Sequence, residues 1–335
     1  MNLPPNHPPI LAPKVGVLLV NLGTPDAPDA GAVRRYLAEF LSDKRVIEIP
    51  SIAWKPILHG IILRTRPKKS AHAYSQVWTE EGSPLAAITK RQAKALQARF
   101  GADVTVDYAM RYGKPGIASR IAAMKDAGCE RILLAPLYPQ YCAATTATAN
   151  DAAFGALIAM RWQPALRTLP PYHDDAAYIG ALKADLEAQI ARLAFVPERL
   201  LLSFHGMPER TLMLGDPYHC HCQKTARLLA QAMKRDVDVA FQSRFGRAKW
   251  LQPATDAVLN AYPGQGVTKV AIAAPGFSAD CLETIEELGI RGKEDFIAAG
   301  GKEFARLDCL NDRDEGMAML DALIRRELAG WWPPA

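Results

Sequence analysis

Three short stretches of this sequence carry imidazole, carboxylate and thiol groups at spacings that could do chemistry. Ser203 to Arg210 reads SFHGMPER, after the apolar run Leu200, Leu201, Leu202 and with Gly206 and Pro208 directly behind the histidine. An imidazole ionises near neutral pH, so His205 suits a general base or a metal contact, and equally a histidine that satisfies a buried polar neighbour. Pro275 to Leu288 reads PGFSADCLETIEEL. On a helix, spacings of three and four put Glu283 with Glu286 and Glu287 on one face, a turn apart. Such a row can pass protons or hydrated cations outward, while the same acids near a helix start also favour its positive end. The third stretch is His219-Cys220-His221-Cys222. With Cys142, its two cysteines Cys220 and Cys222 could offer three thiolates to zinc or a [2Fe–2S] cluster, although C-x-C is unusual beside C-x-x-C.

The elements that must position these groups follow from the apolar pattern. Val15 to Val20 (VGVLLV) is a fully apolar run ending at Asn21, Gly23, Thr24 and Pro25, which reads as a buried strand and a tight loop. Further strands are predicted at 104–110, 131–135, 165–169, 200–204, 237–242, 267–273 and 307–310, with amphipathic helices between most of them. Two successive β-α-β series predict an α/β protein of two Rossmann-like domains, each a parallel sheet flanked by helices. Their expected limits are a Pro-rich leader over 1–13, a first domain over 14–165, a second over 166–312 and a last helix over 313–330. His205 then stands at the carboxyl end of a strand, where open α/β sheets place their ligands. Neither G-x-G-x-x-G nor G-x-x-x-x-G-K-[ST] occurs, which argues against a nucleotide-dependent enzyme.

Composition narrows the class further. Of 335 residues 49% are hydrophobic and 22% charged, the balance of a globular protein. The net charge of +5 comes from 40 basic and 35 acidic residues interspersed along the chain, so nucleic acid is not implied. The start, MNLPPNHPPILAPK, lacks the features of a signal peptide, and a cytoplasmic protein is expected. The longest uncharged stretch, Ile132 to Asn150, holds prolines, Thr145 and Thr146 and does not read as a membrane span, while peripheral membrane contact stays open.

SFHGMPER, followed by GDPY at Gly215 to Tyr218, closely resembles the signature of the ferrochelatases, which insert ferrous iron into a porphyrin, and PGFSADCLETIEEL is similar to the other half of that family's active site. The resemblance runs from Val15 to Leu328. It implies a chelatase-like fold whose last helix packs back on the first domain, with His205 as base and metal contact, Glu283 as the opposing carboxylate and second metal contact, and Glu287 on a proton or metal route. Cys281 stands where some members carry a second histidine. Ile47 to Leu63 matches an apolar lip over the porphyrin, and the cluster behind it offers Arg64 or Arg66 to the propionates. Tyr112, Tyr138 and Trp250 complete the expected substrate contacts. Some members hold a [2Fe–2S] cluster, which keeps Cys142, Cys220 and Cys222 in view, and otherwise no cofactor is expected beyond the ferrous substrate.

The expected reaction takes protoporphyrin IX. Coproporphyrin III or a more acidic tetrapyrrole is the alternative, and the single basic cluster near Arg64 favours the less charged ring. A non-catalytic porphyrin or haem carrier on the same fold is the other alternative.

Overall fold

In the computed structural model, residues 7, 11–246 and 248–332 are described. The leader expected over 1–13 therefore lies largely outside the described residues. Eight strands are formed: β1 (Lys14–Gly23), β2 (Val104–Tyr112), β3 (Cys129–Pro136), β4 (Ala165–Thr168), β5 (Arg199–His205), β6 (Asp238–Gln242), β7 (Lys269–Ala273) and β8 (Glu303–Arg306). They build two four-stranded sheets, β2-β1-β3-β4 and β6-β5-β7-β8, and every pairing is parallel. The second sheet repeats the strand order of the first, so β5 holds the place of β1.

The central strands are apolar throughout because helices cover both of their faces. Val17, Leu18, Leu19 and Val20 of β1 are wholly buried, as are Leu200, Leu201, Leu202 and Phe204 of β5. One core cluster takes Leu19 and Leu133 from the first sheet and Leu202, Phe204 and Ala271 from the second, together with Leu320, Leu323 and Ile324 of the helix Asp314–Glu327. Smaller clusters fill the opposite face of each sheet. The helix Asp314–Glu327 lies against Ala176–Ala191 and Pro84–Phe100, with the Arg325 guanidinium 4.8 Å from the Phe100 ring centroid.

Two boundaries differ from the sequence pattern. β4 pairs with β3 and runs to Thr168, so the first sheet extends past the limit expected at 165. The closing strand is Glu303–Arg306, not 307–310. Leu307 still donates its backbone N–H to the Ile272 carbonyl of β7 at 2.8 Å, but the strand ends before it, and Leu310 is buried in the loop that follows. No helix among the described residues is long and apolar enough to cross a membrane.

Parallel strands deliver their carboxyl ends, and the loops after them, to the same side of each sheet. After β1 the chain reverses at Gly23, whose φ is +111°, and a side chain there would meet the Tyr112 carbonyl oxygen at 1.8 Å. Glycine alone permits both that dihedral and that approach. Between β1 and β2 the segment expected to form a lip is helical. It runs from Ser51–Ile57 through a π-helical turn Leu58–Ile62 into Leu63–Val77, and within 47–63 only Leu58 and Leu63 are buried. Ile52 is 88% exposed, and Ile49, Ile57 and Ile61 are exposed beside it.

Candidate active site

His205 ends β5, opposite Gln242 at the end of β6. Its Nδ1 lies 2.7 Å from the Gly206 carbonyl oxygen. A carbonyl only accepts, so Nδ1 carries a proton and Nε2 is the nitrogen left to take one up. Gly206 donates its own N–H to the Gln242 carbonyl at 2.7 Å, and a side chain on it would come within 2.5 Å of that oxygen. The close approach of β5 and β6 therefore fixes the backbone on which the imidazole hangs.

Glu283 arrives after β7, the neighbour of β5 in the second sheet. After β7 the loop Ala274–Leu282 leads into a π-helix, Glu283–Arg291, which continues as the α-helix Gly292–Ala298. His205 and Glu283 line one cavity of about 100 Å³, with Asn21, Tyr36, Tyr74, Tyr138 and Phe277 among its walls. Burial raises the Tyr36 and Tyr74 hydroxyls well above their ordinary pKa, and the Glu283 charge adds to the rise. Cys281 is buried beside Glu283, its thiol pushed well up by burial and then by that carboxylate.

The π-helix corrects the face read from α-helical spacing. An i→i+5 ladder winds more residues into each turn, so the residue four on stays in line while the residue three on falls behind. Glu286 is accordingly turned away and buried, and it accepts two hydrogen bonds from Arg291, at 2.8 and 2.9 Å. Glu287 keeps the line of Glu283 and faces a second cavity, about 430 Å³, lined also by Ser243, Trp250, Arg244, Arg291 and Asp295. Its carboxylate accepts from the Ser243 N–H at 2.8 Å and from Ser243 Oγ at 2.5 Å. Burial raises the Glu287 pKa and the nearby Glu283 charge adds to this, while Ser243, His205 and Arg291 draw it down.

A buried polar chain ties these parts together. Gln242 accepts from Ser203 Oγ at 2.7 Å and donates to the Glu283 carbonyl at 3.1 Å, and Ser203 Oγ lies 2.8 Å from Thr255 Oγ1. On the first-sheet side, Thr24 donates to Ser83 Oγ at 2.9 Å and the Tyr36 hydroxyl to the Gly23 carbonyl at 3.2 Å. None of Asn21, Tyr36, Tyr74, Gln242 and Ser243 was singled out by motif. For Asn21, Gln242 and Ser243 a signal existed, since each stands at a strand's carboxyl end.

The remaining expected residues divide. Tyr138 lines the cavity with His205, and its buried hydroxyl has no hydrogen-bond partner among the described residues. Tyr141, three residues on, instead donates its backbone N–H to His221 Nδ1 at 3.1 Å. Trp250 is 7% exposed, donates to the Phe245 carbonyl at 3.1 Å and lines the second cavity. Arg64 and Arg66 are exposed on Leu63–Val77, and the Arg66 guanidinium lies 5.3 Å from the centroid of the Phe245 ring. Tyr112 is not a wall of either cavity. It is wholly buried, stacked edge-on against Phe40 at 5.1 Å, and its hydroxyl donates to Asp43 at 2.8 Å. The resemblance placed it among the substrate contacts, but the partly buried Asp43 carboxylate, also bonded by Arg111 and Thr148, holds the phenol inward.

The three cysteines do not form a ligand set. Cys220 is exposed, whereas Cys142 and Cys222 are buried in the main core. Burial pushes the Cys142 thiol up to about 12 and that of Cys222 well above its ordinary value, opposite to what thiolate ligation requires. Among the described residues no three His, Cys, Asp or Glu side chains are grouped to hold a metal ion. The histidines of the stretch are packed instead, His221 stacking on His173 with ring centroids 3.5 Å apart.

Comparison with known proteins gives this geometry a lineage. The ferrochelatase family profile matches residues 14–328. A ferrochelatase of Agrobacterium fabrum is 53% identical over 336 residues, 98% of each chain, and one of Rhizobium meliloti is 54% identical over 332 residues, 97% of this chain and 98% of the other. Among solved structures, SirB from Bacillus subtilis with Fe3+ superposes at a TM-score of 0.56 with 13% identity, covering 95% of this chain and 97% of that one. The sirohydrochlorin chelatase SirB from Bacillus subtilis subspecies spizizenii, in complex with cobalt, gives 0.55 with 12% identity over the same shares, a likeness of fold. Sequence identity above one half, sustained over nearly the whole length, makes this chain a member of the ferrochelatase family, whose enzymes are lyase-type metal chelatases.

Proposed function

We propose that the chain inserts ferrous iron into protoporphyrin IX, giving protohaem and two protons. The observation that carries this is that His205, ending a strand, and Glu283, opening a helix far along the sequence, line one cavity walled by tyrosine, phenylalanine and leucine side chains. Metal insertion must remove two pyrrole N–H protons while iron exchanges water for ring nitrogens. His205, with Nδ1 committed to the Gly206 carbonyl, offers Nε2 as the base and as a transient metal contact. Glu283 is the opposing carboxylate and second contact. Oxygen and imidazole hold ferrous iron weakly enough to give it up.

Glu287 continues the route outward for protons or hydrated iron, held by Ser243 at the inner edge of the larger cavity. Tyr138 and Trp250 serve as walls. Tyr112, bonded to Asp43, lies outside both cavities in this reading. A pocket for an organic ligand of this size ordinarily measures about 300 to 1,000 Å³, so the inner cavity of about 100 Å³ has to widen before it admits the ring. The exposed 47–63 segment is the lip in this reading, and Arg64 and Arg66 beyond it take the propionates. The reaction needs no resident cofactor in this account, and the protein works in the cytoplasm, with peripheral membrane contact compatible with the exposed isoleucines of the lip.

Anaerobic incubation with ferrous iron and protoporphyrin tests the proposal directly: the four visible bands of the free porphyrin collapse to two as the metal enters. His205→Ala is expected to abolish turnover and leave porphyrin binding nearly intact. Near-normal turnover in that variant would place the base elsewhere. Porphyrin binding without metalation by the unaltered protein would identify a carrier, and a faster reaction with coproporphyrin III would reassign the substrate.

A further inference from the structure

Ser243 is one of three non-glycine residues with a positive φ, +66°, among those described, and it follows directly on the last residue of β6. That left-handed conformation costs an L-residue of order 1 kcal/mol or more and persists only where the surroundings impose it. What imposes it is Glu287. The turn at Ser243 aims both its backbone N–H and its hydroxyl at the same carboxylate, at 2.8 and 2.5 Å. Neither donor could reach if the strand simply continued.

We infer that Ser243 is a positioning residue that holds the Glu287 carboxylate in line with Glu283 and His205. This rests on the reading of Glu287 given above and adds to it the group through which that side chain is fixed. The need is clear from the neighbours. Arg291, the one cation beside Glu287 on its own helix, is committed to Glu286 through two hydrogen bonds. Arg244, also lining the larger cavity, is committed to Asp256 at 2.7 and 2.8 Å. Glu283 on the same helix repels Glu287, His205 attracts it from β5, and Asp295 stands further along the cavity. With both guanidiniums engaged, Ser243 supplies the only hydrogen bonds recorded on the Glu287 carboxylate among the described residues. Gln242, one residue earlier, fixes the start of the π-helix through the Glu283 carbonyl, so two adjacent residues of one strand end set both acids.

The test uses the full chain with ferrous iron and protoporphyrin under anaerobic conditions, comparing Ser243→Gly, Glu287→Gln and the double variant. Glycine relieves the strained dihedral and keeps the backbone N–H, so the melting temperature of Ser243→Gly is expected to equal or exceed that of the unaltered protein. Loss of the hydroxyl's bond to a charged group is expected to lower kcat about tenfold with the porphyrin KM unchanged. In the Glu287→Gln background the same substitution is expected to change kcat less than twofold, because the group it positions is gone. Full turnover in Ser243→Gly overturns the inference, as does a tenfold loss that persists with Glu287→Gln, which would make Ser243 a direct substrate contact. A fall of several degrees in melting temperature accompanying the loss also overturns it, in favour of a structural role. If Glu287→Gln alone keeps full activity, the reading of Glu287 fails first, independently of Ser243.

Discussion

Gly206→Ala is the smallest change that should separate folding of this protein from its chemistry. The added methyl would sit 2.5 Å from the Gln242 carbonyl oxygen and 3.3 Å from Cε3 of Trp250, and the first of these is backbone that cannot rotate away. Either the ends of β5 and β6 part by several tenths of an ångström or the Gly206 peptide tilts. Overpacking of this kind costs about 1–3 kcal/mol, and weakening the 2.7 Å bond from Gly206 N–H to Gln242 adds about 1 kcal/mol. A loss of about 2–4 kcal/mol should leave a chain of this size folded at room temperature, with a lowered melting temperature. The effect on turnover should be much larger. The Gly206 carbonyl is the acceptor that orients His205, so tilting that peptide swings Nε2, and misplacing a catalytic group by 1 Å costs roughly a hundredfold in rate. Circular-dichroism melting, porphyrin binding by fluorescence and anaerobic iron insertion measure the three quantities separately. Unchanged insertion rate in a stably folded Gly206→Ala protein would refute the view that this peptide aims the imidazole.

Glu287→Gln should stabilise the protein at pH 8 and do progressively less as the pH falls. Burial raises the folded pKa of Glu287, so the folded state holds that proton more firmly, and its contribution to stability is present below the ordinary glutamate value of 4.5 and lost as pH rises through the folded value. Urea midpoints at several pH values check the sign. Asp43 is the reverse case. Burial pushes its carboxyl up, but donors from Thr148, the Arg45 N–H and Tyr112, with the Arg111 charge, bring it below 3.8. Its contribution is therefore present above pH 3.8 and lost as pH falls through the lower folded value. Asp43→Asn should cost about 3 kcal/mol at pH 7, the gap to the unaltered protein narrowing in acid, as chemical denaturation would show. His173 is held down at about 4 by burial and then by His221. Stability should accordingly decline as pH falls from 6.5 towards 4, and His173→Phe, which keeps a ring in the stack, should lose part of that slope in the same measurement.

Much of the fold could be read from VGVLLV and RLLLSFH, because a strand buried on both faces leaves an unbroken apolar run and its end marks where ligands gather. His205 was legible for that reason. The π-helix was not, since its i→i+5 ladder depends on what packs around Glu283–Arg291, and an α-helical reading grouped Glu286 with Glu287 when the structure parts them. Tyr112 misled because its burial is decided by Asp43, 69 residues away in sequence. Leu310 misled because burial and strand pairing leave the same local trace. For Ser243 the strand end was the whole of the signal: its dihedral, and the carboxylate it serves, exist only once β6 and the π-helix meet.

Because a single apolar interior runs through both sheets, bending one half against the other would tear open the best-packed part of the molecule. Compliance has to come from the rim. The inner surface that bears His205 and Glu283 is in this sense an anvil, and a guest of changing thickness, flat on arrival and metal-laden on departure, has to be met by the exposed segments around it.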